Sequence, residues 1–171
     1  MKNSDSVKMH SGFFDKSKQA IIDGYYLEAV MYEYASIEGR LEVICGLLGL
    51  PCNKDLDKKI RRKIKIDNRR KCLATIYKKH PACKDYKTKL DEEFWGRLKT
   101  WIDERNTYVH GLYKSPSEYI SRINRMEGFA IEGREFARLL YNEAARLRRI
   151  AKNHPEKMSL DEYKCESKKC Y

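Results

Sequence analysis

Side chains suited to proton transfer and to phosphate binding occur close together in the run Arg105-Asn106-Thr107-Tyr108-Val109-His110. A histidine has an unperturbed pKa of about 6.5, so it can accept or donate a proton at neutral pH. An arginine carries a permanent charge on a planar fork that matches a phosphate group. Arg105, Asn106 and His110 are therefore the candidate catalytic residues, and the chemistry they favour is acid–base catalysis at a phosphate ester.

The relative directions of these side chains depend on the helix that carries them. Apolar residues recur at three- and four-residue steps from Leu90 to Leu112, which predicts a helix with Arg105 in the register of its buried residues. On this helix Asn106 and His110 share a face, whereas the step from Arg105 to His110 turns through about 140°. Both can meet one substrate only if the helix edge lines a cleft or if two copies pack across a two-fold axis. We favour the dimer.

A guanidinium at a buried position requires a compensating group. Burial of the charge is costly unless an anion or several hydrogen-bond acceptors meet it. Within the chain Asp103, Glu104 or Glu42 can pair with Arg105. The other candidate is an external phosphate bound in a cleft. The sequence is compatible with an internal carboxylate and with an external phosphate, and Glu104 is an expected accessory site residue.

The arginine-to-histidine spacing occurs a second time in the chain, between Arg149 and His154. This pair lies in a basic run close to the end of the last predicted helix, so a solvated helix end is the expected role. For His10, near the chain start, and His80, before a proline, we expect structural or solvent-exposed positions. Spacing alone therefore does not identify the site, and the surroundings of Arg105 carry the prediction.

The positive charge of the chain is concentrated in one segment. Between Lys54 and Lys89 there are 15 Lys/Arg against 4 Asp/Glu, an excess equal to the net charge of +11 of all 171 residues. Such a patch attracts polyanions, above all nucleic acid, although a solvated helix face is the alternative. The expected nucleic-acid-binding residues are Lys58, Lys59, Arg61, Arg62, Lys63, Lys65, Arg69, Arg70 and Lys71.

The remaining periodicity predicts further helices. A stripe from Val30 to Leu48 stops at Gly49-Leu50-Pro51, and a shorter helix from about Phe14 to Ile22 precedes it, with Gly24 as a break. The basic segment reads as a helix that ends at His80-Pro81.

Ser115-Pro116-Ser117-Glu118 is typical of a helix start, and the long helix that follows can bend or split at Gly128 and Gly133. No alternating strand pattern occurs. We therefore predict an all-α bundle of four to five helices over residues 13–153, between a flexible start (1–12) and a polar tail (154–171).

Composition narrows the classes of protein further. No apolar stretch approaches the roughly 18 residues that span a bilayer, and the N-terminus lacks a secretory pattern, so a soluble cytoplasmic protein is expected. The six cysteines lack the spacing of a disulfide scaffold and are expected to be reduced. Cys165 and Cys170 are better explained as tail thiols than as half of a metal site. We expect no metal and no cofactor.

Arg105-Asn106 followed by His110-Gly111-Leu112 near the end of a penultimate helix resembles the Arg-x4-6-His motif of HEPN domains, which are small all-helical proteins. The early stretch from Gly24 to Val30, leading into Ile37-Glu38, also looks like the first part of that family's pattern. The resemblance covers roughly residues 13–153, with the basic segment 54–89 as an enlarged or inserted element.

This resemblance implies a metal-independent endoribonuclease of a toxin or of anti-phage defence. Single-stranded RNA would be cleaved to a 2′,3′-cyclic phosphate and a 5′-hydroxyl, with Arg105 on the phosphate and His110 moving the proton. Some toxins of the family are modified by a nucleotidyltransferase antitoxin on a Tyr two residues after the His. Here that position is Leu112, and Tyr113 follows it, so the chain departs from the family's pattern at the residue that is modified.

Two other classes of function remain open. One is a non-catalytic helical module that binds nucleic acid or a protein partner, with Arg105 in an internal ion pair. The other is a nucleotide-sensing or scaffold domain of the same fold, which would bind a mononucleotide without cutting RNA. A basic scaffold predicts binding that weakens steeply with salt and gives no cleavage products.

Overall fold

The computed structural model describes residues 3–50, 66–87, 89–111 and 116–158. The side chains of residues 3–11, 68, 84–85, 110–111, 116–119 and 122 fall outside this description. The described chain forms five α-helices and no strand, so the all-α prediction is confirmed. These are α1 (Asn3–Ile22), α2 (Tyr26–Leu47), α3 (Ile66–Ile76), α4 (Glu92–Gly111) and α5 (Pro116–Asn153), with 3-10 turns at Pro81–Tyr86 and Pro155–Met158.

The helices contribute to two compact units. The first unit comprises Met1–Gly39 and Leu98–Leu139, and therefore contains α1, the start of α2, the second part of α4 and the first part of α5. The second unit comprises Arg40–Arg97 and Leu140–Tyr171. The candidate catalytic residues Arg105, Asn106 and His110 all belong to the first unit.

Two glycines end helices where the sequence predicts a stop. Gly24 (φ 77°) and Gly49 (φ 65°) adopt the left-handed conformation that a residue without a Cβ reaches without strain. After α1, Tyr25 N donates to Ala20 O at 2.8 Å, and after α2, Leu50 N donates to Cys45 O at 3.0 Å. These bonds satisfy carbonyls that the helix leaves without a partner. The expected break at Gly24 and stop at Gly49 are confirmed.

Trp101 of α4 is the centre of the core in the first unit. Its ring is 1% exposed, stacks on Phe129 of α5 with centroids 5.1 Å apart, and meets Phe136 edge-on at 6.3 Å. Its indole N–H donates to the backbone carbonyl of Phe129 at 2.9 Å, so the polar atom of this large buried side chain has a partner. Tyr108 packs on the same Phe129 ring at 4.8 Å. Aromatic contacts therefore fix α4 against α5.

Gly133 allows the close approach of these two helices. A Cβ at this position would overlap Trp101 Cζ2 and lie 2.8 Å from Trp101 Cε2. The sequence pattern allowed a bend or split at Gly128 and Gly133, and the helix is not split, since α5 runs without interruption from Pro116 to Asn153. Gly133 therefore serves packing and does not break the helix.

The second unit is built around a buried ion pair. Glu143 is fully buried and accepts hydrogen bonds from Arg146 Nε at 2.7 Å and from Arg146 Nη2 at 2.8 Å. The Tyr77 hydroxyl also donates to Glu143, at 2.6 Å, and Arg146 Nη2 donates to the carbonyl of Ala82 at 2.5 Å. Burial, together with the charge of Glu143, raises the pKa of Tyr77 above its ordinary value and that of the Cys83 thiol to about 12. The paired charges compensate one another's lost hydration.

The structure tests some of the other predictions made from the sequence. The first helix begins at Asn3 and not near Phe14. The start signal at Ser115 and the tail with Cys165 and Cys170 lie outside the described residues, while Cys45, Cys72 and Cys83 are free thiols. None of the helices in the described part of the chain is long and apolar enough to cross a membrane.

The two glycines of α5 provide a matched test of the packing. We expect Gly133→Ala to lower the free energy of unfolding by about 1–3 kcal/mol, because the added methyl forces Trp101 or the helix backbone to shift. At Gly128 no heavy atom lies within 4 Å of the place that an added methyl would occupy, so Gly128→Ala should raise stability by up to about 1 kcal/mol. Urea denaturation of both variants checks this, and equal effects at the two positions would contradict the packing role of Gly133.

Candidate active site around Arg105

Helix α4 positions the candidate residues. Its N-terminus is capped by Asp91, whose carboxylate accepts the backbone N–H of Phe94 at 2.8 Å. The helix continues through residue 111, so positions 106 and 110 are one turn apart, as the expected shared face requires. The side chain of His110 lies outside the described residues, as does the whole of Tyr113.

Arg105 lies at the edge of the buried stripe of α4 and is partly exposed. Its guanidinium carbon lies 4.0 Å from the centroid of the Tyr34 ring, a cation–π arrangement with α2. Nη2 donates to the thioether sulfur of Met31 at 3.2 Å, and Nη1 donates to Asn106 Oδ1 at 3.2 Å. The side chain is thus held by one aromatic face and two neutral acceptors.

No carboxylate in the described part of the chain lies within salt-bridge distance of Arg105. Of the three internal partners expected from the sequence, Asp103 pairs with Lys99 at 2.5 Å and Glu42 lies 3.8 Å from Arg69. The third, Glu104, is exposed. In addition, Arg105 Nε is buried without a hydrogen-bond acceptor among the described atoms. A thioether and a ring face are weak partners for a cation, so no described group of the chain neutralises the charge of this partly exposed side chain.

Asn106 is exposed and next to this cation. Because its Oδ1 accepts the bond from Arg105, its amide nitrogen is left as a donor on the same surface. The guanidinium and the amide together form a set of N–H donors, and N–H donors are what a phosphate or another oxyanion requires.

Glu104 lines a small cleft on α4 of about 150 Å³, together with Thr107, Tyr108 and Arg125. Arg125 belongs to α5 and is exposed, and the sequence analysis did not single it out. No motif marks it, since only the packing of α5 against α4 brings it to the turn of α4 that follows Arg105.

A larger depression lies next to Arg105, between the α1–α2 turn and α5. Its volume is about 560 Å³, and its apolar lining comprises Tyr25, Tyr26, Leu27, Met31, Ile123 and Met126. We call this the apolar groove. Met31 lines the groove and its sulfur also accepts a bond from Arg105, so the cation is adjacent to one of the residues that line the groove.

A buried carboxylate, which the sequence analysis missed, lies on the other side of α2. Glu33 is fully buried, accepts a hydrogen bond from Ser17 of α1 and lies 3.7 Å from Arg134 of α5. Its second oxygen, Oε2, has no partner among the described residues. Burial raises the pKa of Glu33 to about 7, although Ser17 and Arg134 both act to lower it. Glu33 lies three residues after Val30 and four before Ile37, so it falls on the buried stripe of α2. This helical spacing is the sequence signal that could have identified a buried carboxylate.

The expected nucleic-acid-binding residues are described only in part. Lys58, Lys59, Arg61, Arg62, Lys63 and Lys65 lie outside the described residues. Of the others, Arg70 is 7% exposed, pairs with Asp67 at 2.8 Å and donates to the carbonyl of Trp95 at 3.2 Å. Arg69 is largely buried, whereas Lys71 is exposed and pairs with Asp67. The bonds that the structure describes for Arg70 are therefore internal to the second unit, and nucleic-acid binding by this segment stays a prediction.

The chain matches no protein-family model, and no significant match was found among curated proteins or among solved structures. Among the residues that the structure describes, no group of three or more His, Cys, Asp or Glu has the arrangement of a metal site.

The raised pKa of Glu33 generates a pH dependence of stability. In the unfolded chain the carboxyl ionises near its ordinary value of 4.5, whereas in the folded protein it stays protonated up to about 7. The contribution of Glu33 to the free energy of unfolding therefore falls as the pH rises from 4.5 to 7, by at most about 1.4 kcal/mol per pH unit. Above pH 7 this contribution no longer changes with pH.

Glu33→Gln removes this titration. We expect the free energy of unfolding of the wild type, minus that of Glu33→Gln, to fall between pH 5 and pH 7 in chemical denaturation. The exposed Glu135 of α5 supplies the control, since Glu135→Gln should give a curve parallel to the wild type. A Glu33→Gln curve that is also parallel to the wild type would show that Glu33 has an ordinary pKa.

Proposed function

We propose that this chain is a metal-independent endoribonuclease of HEPN type, acting as a toxin or in anti-phage defence in the cytoplasm. The observation that carries the proposal is the environment of Arg105: a guanidinium without a carboxylate among the described residues, held over Tyr34 at 4.0 Å and next to the exposed amide of Asn106. A guanidinium held in one position without a paired carboxylate is suited to bind an external anion. The phosphate of RNA is the anion that the resemblance implies.

In the proposed reaction Arg105 holds the scissile phosphate and stabilises the charge that develops on its oxygens. A neutral His110 removes the proton of the ribose 2′-hydroxyl, and the 2′-oxygen forms a bond to phosphorus. The bond from phosphorus to the 5′-oxygen breaks, and an imidazolium donates the proton that this oxygen needs. The products are a 2′,3′-cyclic phosphate and a 5′-hydroxyl.

A single helix does not bring both functional groups to one point. Positions 105 and 110 of α4 are five residues apart, which corresponds to about 140° around the helix axis. We therefore propose a two-fold homodimer, in which each copy of a four- to five-helix bundle contributes its Arg105 and His110 to a shared cleft. One His110 would then act as the base and the other as the acid. Control by a nucleotidyltransferase-type antitoxin is a further proposal, although Leu112 stands where toxins of the family carry the modified Tyr.

A non-catalytic module that binds nucleic acid is the second candidate, because the net charge of +11 explains binding without any cleavage. The packing of Arg105 on Tyr34 and Met31 would then be structural. The two candidates differ in their products: an enzyme loses cleavage when the site is altered, whereas a module never cleaves.

The second arginine-to-histidine pair of the chain provides the control for the catalytic test. We expect Arg105→Ala and His110→Ala each to lower kcat/KM on labelled single-stranded RNA by at least about 100-fold in EDTA, because each removes a group that acts on the reacting phosphate. Arg149→Ala and His154→Ala, at exposed positions, should cleave like the wild type.

Retained cleavage in both Arg105→Ala and His110→Ala would exclude this site. Loss of wild-type activity in EDTA alone would instead exclude the metal-independent chemistry.

Measurements of RNA binding distinguish the single phosphate contact of Arg105 from the electrostatic attraction of the basic segment. For the wild type, the logarithm of the binding constant should fall linearly with the logarithm of the salt concentration, with a slope of about −0.7 per phosphate neutralised. Arg105→Ala should keep most of this binding, because it removes one contact while the basic segment is unchanged. A fluorescence anisotropy titration at several salt concentrations measures both. Binding that is independent of salt would contradict the role of the basic segment.

A further inference from the structure

The apolar groove is lined by several apolar side chains that are exposed to solvent. Tyr25 is 64% exposed, Met31 41% and Ile123 44%, and all three line the same depression. Contiguous exposed apolar surface with a concave shape commonly marks a binding site. Its volume of about 560 Å³ falls within the range of roughly 300–1,000 Å³ that is typical of small-molecule sites.

Two groups of opposite charge lie at the groove. Met31, which lines it, contacts the guanidinium of Arg105, and no described carboxylate pairs with that guanidinium. Glu28 is the single charged residue among those that line the groove, and one of its oxygens accepts the Tyr32 hydroxyl at 2.8 Å. An anion is therefore attracted towards Arg105 and repelled by Glu28. The arrangement fits a ligand that carries an anionic group directly next to a flat apolar group.

We propose that the apolar groove binds an unstacked nucleobase of the RNA whose phosphate lies on Arg105. The two tyrosines at the α1–α2 turn supply aromatic faces on which a base can stack, and every base has such a face. Tyr26 lines the groove together with Ile123 and Met126 of α5.

This inference rests on the proposed function, since it assumes that Arg105 holds an RNA phosphate. It adds a physical reason for the preference for single strands. A base enters the groove only when it is free of its stack and of its pairing partner, so a duplex substrate is excluded from this contact. Cleavage of a single strand over the matching duplex then depends on the groove and not on Arg105 alone.

Two isoleucines on α5 provide a matched pair for the test. Ile123 lines the groove and is 44% exposed, whereas Ile131 is 51% exposed on the same helix and does not line it. Ile123→Trp fills the groove with a ring, and Ile131→Trp adds the same ring elsewhere. The probe is a fluorescein-labelled single-stranded RNA of roughly 12 nucleotides, within the range of known single-strand sites. Circular dichroism and sedimentation velocity are recorded for both variants.

We expect Ile123→Trp to weaken binding by about 5- to 100-fold, the range associated with one stacked base, and Ile131→Trp to bind like the wild type. Removing the base of one nucleotide in the RNA should weaken wild-type binding by a similar factor at one position, and this penalty should vanish in Ile123→Trp. Tyr25→Leu should weaken binding more than Tyr25→Phe, because only the latter keeps the aromatic face. The Tyr25 pair also decides the matter if Ile123→Trp does not fold.

The outcomes separate this inference from the proposed function. If the wild type neither binds nor cleaves the RNA, the proposed function fails and the inference with it. If the wild type cleaves and Arg105→Ala does not, but Ile123→Trp binds like Ile131→Trp, the nucleobase site alone is wrong. If Ile123→Trp changes the sedimentation coefficient from dimer to monomer while Ile131→Trp does not, the occupant of the groove is a second copy, which also overturns the inference.

Discussion

The contact between Trp101 and Gly133 is the constraint on which the candidate site depends. The indole lies where a Cβ at position 133 would be, and its N–H donates to the carbonyl of Phe129. These two contacts fix both the distance between α4 and α5 and the rotation of α4 about its own axis. Arg105 follows Trp101 by four residues and lies one turn further along the same side of α4. The rotation that buries Trp101 therefore places Arg105 at the edge of the core, over Tyr34.

The buried and partly buried charges of the chain are compensated to different degrees. In the second unit Glu143 receives two bonds from Arg146 and one from Tyr77, which is the complete arrangement expected of a structural ion pair. In the first unit Glu33 has a hydroxyl and a distant guanidinium, and one of its oxygens has no described partner. Arg105 has a ring face, a thioether and an amide oxygen. Because Arg105 is partly exposed and no described carboxylate pairs with it, its charge is available to an external anion.

The proposed site combines this cation with an apolar surface. Met31 touches the guanidinium and also lines the groove between the α1–α2 turn and α5. A polyanion alone would need only the basic segment, whose attraction is independent of sequence and of base exposure. A groove next to the cation adds a requirement for an exposed base. The proposed preference for single-stranded RNA then has a structural origin in residues that carry no charge.

The sequence by itself determined the helical class, the ends of α1 and α2 at Gly24 and Gly49, and the position of Arg105, Asn106 and His110 near the end of one helix. These features are local: periodicity and the conformational freedom of glycine depend on neighbours within a few residues. It also determined the concentration of positive charge in residues 54–89.

Only the tertiary structure decided which groups meet. In the sequence Gly133 is a place where the last helix can bend or split. In the structure it is a packing position, because the indole of Trp101 on another helix occupies the space that a Cβ would need. Arg70 reads as part of a nucleic-acid-binding surface and is bonded to the carbonyl of Trp95. Asp103 and Glu42, which the sequence offers as partners of Arg105, pair with Lys99 and Arg69. A charged side chain reaches several partners within a few ångströms, and the packing of the helices selects among them.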